Sequence, residues 1–221
     1  MTTADAVRRR LGLGRLLPLG GAADGAWLTE QAAEAVLRRA AAGVPGVAPG
    51  GMRLAPVDPG AADRPAVPPP PSALPPGPLR IETDFAAVAG EPLPVLADAL
   101  RTALFLAARE LLDLAVTEVD LRVTELLDTA ADTWEPTAPP GVRAVTATDL
   151  AGEAASRAPG VAHLTATLGT AVHLAPDHVR IELATASGHR PLEVVRAVRE
   201  AVTDALGDGR PVSVLVTAVA E

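Results

Sequence analysis

Leu79-Arg80-Ile81-Glu82-Thr83-Asp84-Phe85 alternates apolar and polar side chains, and Val179-Arg180-Ile181-Glu182-Leu183 repeats both the alternation and its Arg-Ile-Glu centre. A period of two is the signature of a half-buried strand. Working outward from each copy, further matches appear in the same order. Val44-Pro45-Gly46-Val47 corresponds to Ala158-Pro159-Gly160-Val161, Pro92-Leu93 with Val95 to Pro191-Leu192 with Val194, and Val123-Thr124 to Val216-Thr217. Ordered matches of this kind define a repeated structural unit.

In the first unit Thr29 is placed to cap a helix carrying Ala33, Val36, Leu37, Ala40 and Val44 at helical spacing, which Gly43 and Pro45-Gly46 end. Met52, Leu54 and Val57 read as a strand. Glu91-Pro92 opens a second helix, with Leu93, Leu96, Leu100, Leu104, Ala107 and Leu111 as its apolar stripe. Val119, Leu121 and Val123 alternate on a closing strand. The second unit repeats the order. It has a helix near 148–157, a strand over 161–174, a hairpin turn at Pro176-Asp177 and a strand through Val179, Ile181 and Leu183. A helix burying Leu192, Val195, Val198, Val202 and Leu206 leads to a last strand at Val212, Val214, Val216 and Ala218.

The expected fold is therefore α+β. Two tandem helix–strand–strand–helix–strand modules each form a small sheet covered by helices and pair pseudo-symmetrically. The expected boundaries are a basic leucine-rich arm (1–25), a first module (26–127) with a proline-rich insertion (56–78), a linker (128–144) and a second module (145–221). Pro68-Pro69-Pro70-Pro71 makes the insertion read as a stiff extended surface loop, with docking of a proline-recognising module as the alternative.

Hydrophobic residues make up 48% of the chain but aromatics only 2%, which leaves little aromatic wall for a ligand pocket. A net charge of −8 opposes binding to phosphate backbones, so nucleic acid is not an expected partner. With no cysteine there are no disulfides, thiolate metal sites or cysteine nucleophiles. The most apolar stretch, 93–114, is interrupted by Asp98, Arg101, Arg109, Glu110 and Asp113 and reads as a soluble helix, not a membrane span.

The helix ending in Val44-Pro45-Gly46-Val47, the alternating strand 79–85, the long helix 92–114 and the strand 116–126, with their second set, resemble the alkaline-shock-protein family of bacterial envelope stress proteins. Leu11-Gly-Leu-Gly-Arg-Leu-Leu-Pro-Leu-Gly20 with Ala26-Trp27-Leu28 is similar to a group of actinobacterial proteins whose label is nucleopolyhedrovirus family protein. The first resemblance implies a non-enzymatic, self-associating cytoplasmic protein held at the inner face of the cell membrane by a partner. It implies no catalytic residue, metal or cofactor.

Three groups are candidates for contact. Arg8, Arg9, Arg10, Leu11, Arg15, Leu16 and Leu17 form an arm with three readings: a secretory or twin-arginine signal whose short apolar stretch Arg15 and several glycines interrupt, a basic amphipathic helix touching a membrane surface or partner, or a short arm packing its leucines on the protein body. Ser187-Gly188-His189-Arg190 precedes a helix N-terminus and could hold an anion or a partner, with Arg190 meeting Glu91 of another unit as one form of the latter. His173 and His178 flank the Pro176-Asp177 turn, where a hairpin would bring them together. None of the four serines sits in a nucleophile elbow, and no zinc helix or phosphate loop appears. The expected role is a protein-contact scaffold, with anion binding at the Ser187–Arg190 corner as the alternative.

Overall fold

A computed structural model describes residues 14–61, 63–71, 73–128 and 142–220. The Pro-Gly pairs that marked the repeat have a common physical cause. Gly46 has φ +78° and Gly160 φ +80°, and each turn is closed by a hydrogen bond, Val47 N–H to Val44 O and Val161 N–H to Ala158 O. Proline followed by a glycine at positive φ is the preference of a type II turn, and it turns each helix directly into a strand.

The first such helix, α1 (Glu30–Ala42), is capped by Thr29, whose hydroxyl accepts from Ala32 N–H at 3.3 Å. Strand β3 (Val47–Pro56) then pairs antiparallel with β4 (Leu79–Val88). Helix α2 (Leu93–Leu106) widens into a π-turn over Ala107–Leu111 and returns the chain to β5 (Val116–Leu127), parallel to β4. In the second half, α3 (Leu150–Arg157) leads to β7 (Val161–Thr165), antiparallel to β9 (Val179–Thr185). Helix α4 (Pro191–Leu206) then crosses to β10 (Val212–Val219), parallel to β9. The α+β expectation is met.

Three readings are corrected. The strand expected over 161–174 is broken, because residues 166–171 loop out between β7 and β8 (Val172–Leu174), both of which pair with β9. The loop places the Thr167 and Leu168 N–H groups on Glu182 Oε2, at 2.8 and 3.0 Å. The segment at 14–25 is not a separate arm. Leu16–Leu19 is strand β1, paired antiparallel with β2 (Ala26–Thr29), and β2 lies parallel to β10. A short β6 (Ala144–Val145) closes the far side, giving the order β1-β2-β10-β9-β7-β6 beside a separate three-stranded sheet β3-β4-β5. Finally, the proline-rich insertion is not a free surface loop. Val67 is buried with Leu16, Trp27 and Leu215, Leu74 N–H donates to Leu16 O, and Trp27 Nε1–H donates to Leu74 O at 3.2 Å.

One continuous core joins both halves. Ile81, Phe85 and Leu100 belong to the same buried cluster as Ile181, Val195 and Val214. Burying such apolar side chains is worth about 1.5–3 kcal/mol each, and both halves bury theirs in the same cluster. Helix α1 packs on α2, β2, β3 and β10 and thus bridges the two sheets.

Candidate functional site

The Ser187–Arg190 corner is already occupied by the chain itself. Leu192 N–H, in the first turn of α4, donates to Asp113 Oδ2 at 3.2 Å, and Arg190 Nη2 donates to Asp113 Oδ1. Arg190 Nη2 also reaches Arg109 O at 3.2 Å, so each residue caps the other half's helix. A carboxylate at a helix N-terminus and a guanidinium at a C-terminal carbonyl both complement the helix dipole. Asp113 has φ +55°, the only non-glycine at positive φ among the described residues. Aspartate tolerates that region better than most side chains. Within its own chain the partner of Arg190 is Asp113, so a contact of Arg190 with Glu91 of another unit would have to compete with that pairing.

Asp24 provides a second latch onto α4. Its Oδ1 accepts from Arg196 Nε at 2.8 Å and its Oδ2 from Gly21 N–H at 2.8 Å. Burial raises its pKa, but these two bonds and the charges of Arg196 and Arg199 outweigh that effect, and the net direction is downward. Nothing in the sequence marked Asp113, Asp24 or Arg196, because their partners lie far away along the chain.

Of the basic arm, Arg8, Arg9, Arg10 and Leu11 lie outside the described residues. Leu16 and Leu17 are fully buried, and Arg15 Nη1 donates to Leu54 O at 2.9 Å. Those leucines therefore pack on the body and are not available to a membrane surface. His173 and His178 do come together, with ring centroids 6.0 Å apart. Asp177 Oδ1 lies 2.8 Å from His178 Nδ1, and that contact holds the aspartate pKa below its usual value. No group of three or more metal-ligating side chains occurs among the described residues.

The surface that stands out is the outer face and edge of the β3-β4-β5 sheet. Arg53 from β3, Arg80, Glu82 and Asp84 from β4, and Glu118, Asp120 and Arg122 from β5 share the face opposite the buried Leu54, Ile81 and Val119. Arg122 grips Asp84 bidentately, Nε to Oδ1 at 2.8 Å and Nη2 to Oδ2 at 2.9 Å. This pairing lowers the Asp84 pKa and raises that of Arg122. Arg80 lies 3.5–3.8 Å from Glu82, Glu118 and Asp120. Between Arg53, Asp84 and Arg122 runs an open groove of about 450 Å³.

The edges of this sheet differ. On the outer side of β3, Leu54 N–H donates to Glu30 Oε1 at 3.0 Å, Arg15 takes Leu54 O, and Arg38 Nη1 takes Gly50 O at 2.8 Å. On the outer side of β5 no strand pairs among the described residues. Val123 is 39% exposed and Leu126 63% exposed along it.

No protein-family model, curated protein or solved structure matches the chain. The candidate site thus rests on its own geometry: an α+β protein with a seven-stranded sheet beside a three-stranded sheet that is open at a charged face and an apolar-flanked edge.

Proposed function

We propose that the protein is a non-enzymatic scaffold acting through protein–protein contacts and self-association. One observation carries the reading, the twelve-residue edge of β5, on whose outer side no strand pairs among the described residues, whereas Glu30, Arg15 and Arg38 side chains cover the β3 edge of the same sheet. Unpaired strand edges are templates for pairing with another chain, and monomeric proteins usually block them. The likeness of the repeated helix–strand pattern to alkaline shock proteins supports a partner at the inner face of the cell membrane, in an envelope-stress role. No described helix is long and apolar enough to cross a membrane. The alternative, an anion held at the α4 N-terminus, is less well supported because Asp113 fills the position.

Light scattering on the full chain over a concentration series, with liposome flotation beside it, tests the proposal. Particles heavier than the 22.4 kDa chain, or stable retention of a protein partner, are expected. A strict monomer that retains no partner refutes it. Truncation to probe the arm must stop before Gly14, because removal of residues 14–25 would delete β1.

A further inference from the structure

We infer that β5 pairs with β5 of a second copy, antiparallel about a two-fold axis at Leu121, so that two three-stranded sheets become one. The inference rests on the self-association reading and names its partner and register.

The seven-stranded sheet shows how this fold treats the corresponding position. Strand β10 follows a helical crossover and lies parallel to β9, just as β5 lies parallel to β4. The far edge of β10 is filled within the chain by β2, with Val214, Leu215 and Val216 opposite Ala26, Trp27 and Leu28. The far edge of β5 has no such strand among the described residues. The opposite edge of its sheet carries the usual protections, including Pro49 and Pro56 within β3 and the side chains of Glu30 and Arg38 on its carbonyl and amide groups. β5 has twelve residues and contains neither proline nor glycine.

The occupant follows from the order of charges. Irregularities at Thr117 and Thr124 bound a regular stretch, in which Glu118 through Val123 pair residue by residue with Arg80 through Phe85. With the axis at Leu121, Asp120 falls opposite Arg122 of the second copy, on the charged face. On the apolar face Val119 falls opposite Val123 of the second copy, and Leu121 meets its own mate. Asp120, whose side chain is 63% exposed, has an ion-pair partner in Arg80 at 3.8 Å and no other among the described residues. Arg122 uses Nε and Nη2 on Asp84, and its Nη1 makes no hydrogen bond among the described residues. Moving the axis to Asp120 or Arg122 sets like charges opposite each other, which destabilises a pair. A slip of a single residue in the pairing puts the apolar face of one copy beside the charged face of the other. Of these registers only the one centred on Leu121 satisfies both faces.

The absence of cysteine makes cross-linking a direct test, since Leu121→Cys introduces the sole thiol. Directly opposed residues in an antiparallel pair lie about 4.5–5.5 Å apart at Cα, within disulfide reach. Two copies of residue 123 would be separated by four residues of strand rise, roughly 13 Å, and out of reach. Under mild oxidation of the full-length protein, Leu121→Cys should form a covalent dimer on the order of tenfold faster than Val123→Cys. Circular dichroism establishes that both variants fold. As a measurement needing no substitution, wild-type amide exchange between Glu118 and Val123 should speed up on dilution, in step with loss of the dimer in sedimentation. A wild-type oligomer in which Leu121→Cys cross-links no faster than Val123→Cys overturns this pairing and leaves the scaffold reading standing. A monomer whose β5 amides are already protected overturns it as well, since the edge is then covered within the chain. A monomer with no retained partner overturns both.

Discussion

Replacing Asp113 by alanine removes the contact that ties the α2 turn to the start of α4. Its magnitude follows from three parts. The lost helix-capping acceptor for Leu192 N–H is worth about 1 kcal/mol. Alanine at φ +55° adds about 1 kcal/mol, because the left-handed region crowds Cβ against the carbonyl. The lost ion pair adds no more than about 1 kcal/mol, since the Arg190 side chain is 46% exposed and water takes over much of its solvation. The sum is about 3 kcal/mol. For a chain of this size that corresponds to a fall of roughly 6–12 °C in Tm. Asp113→Asn keeps an acceptor and a side chain tolerant of positive φ, so it should lose only about 1 kcal/mol. Urea unfolding of the two variants, with Arg190→Ala and the double mutant to isolate the coupling, measures these terms. If Asp113→Ala lies within about 0.5 kcal/mol of wild type, the latch contributes nothing to stability and the reasoning fails. Equal damage from asparagine and alanine would show that charge alone matters and that neither cap nor backbone does.

Glu182 gives a pH signature. Burial pushes its carboxyl above the ordinary 4.5, against the opposing effects of Leu168 N–H, Arg180 and Thr167 N–H. The folded chain then keeps this proton to higher pH than the unfolded chain, so stability from this group falls as pH rises from 4.5 through the folded value. Glu182→Gln removes that component, and its stability relative to wild type should increase with pH across the window; parallel curves for the two proteins in pH-dependent denaturation would contradict the assignment. Glu30 guards the edge of β3, its carboxylate accepting from Leu54 N–H and from Arg15 N–H at 2.9 Å. Glu30→Ala should cost about 2–3 kcal/mol and release the Leu54 amide to fast hydrogen exchange, whereas unchanged protection at Leu54 would show that the edge is covered by something else.

Much of the local structure was legible because it depends on neighbours in the chain. Thr29 caps α1 where its position before an apolar periodic stretch required, and both Pro-Gly pairs turn as their backbone preferences dictate. The pairing of His173 with His178 followed from a hairpin whose turn could be read directly. The contacts that failed to show were long-range. Leu16 and Leu17 sit beside arginines and glycines in a segment too short for clear alternation; they pair with β2, and β2 joins the sheet only through the edge of β10, formed at the other end of the chain. Asp113 looked like one more charge interrupting an apolar helix until α4 came to rest against it.

The two Arg-Ile-Glu tripeptides divide these causes clearly. The sequence by itself determined that each lies on a strand with isoleucine facing the core, and Ile81 and Ile181 are both fully buried. It could not determine what happens to the other face. The Glu82 side chain remains 43% exposed in an open ladder of charges, while that of Glu182 is 0% exposed beneath the 166–171 loop. Alternation specifies two faces and leaves open whether the second is covered, because the cover comes from elsewhere in the chain. The N-terminal hairpin extends the sheet that holds Glu182, and the proline-rich insertion packs beside it. The sheet that holds Glu82 keeps an open face, and along its β5 edge no strand pairs among the described residues.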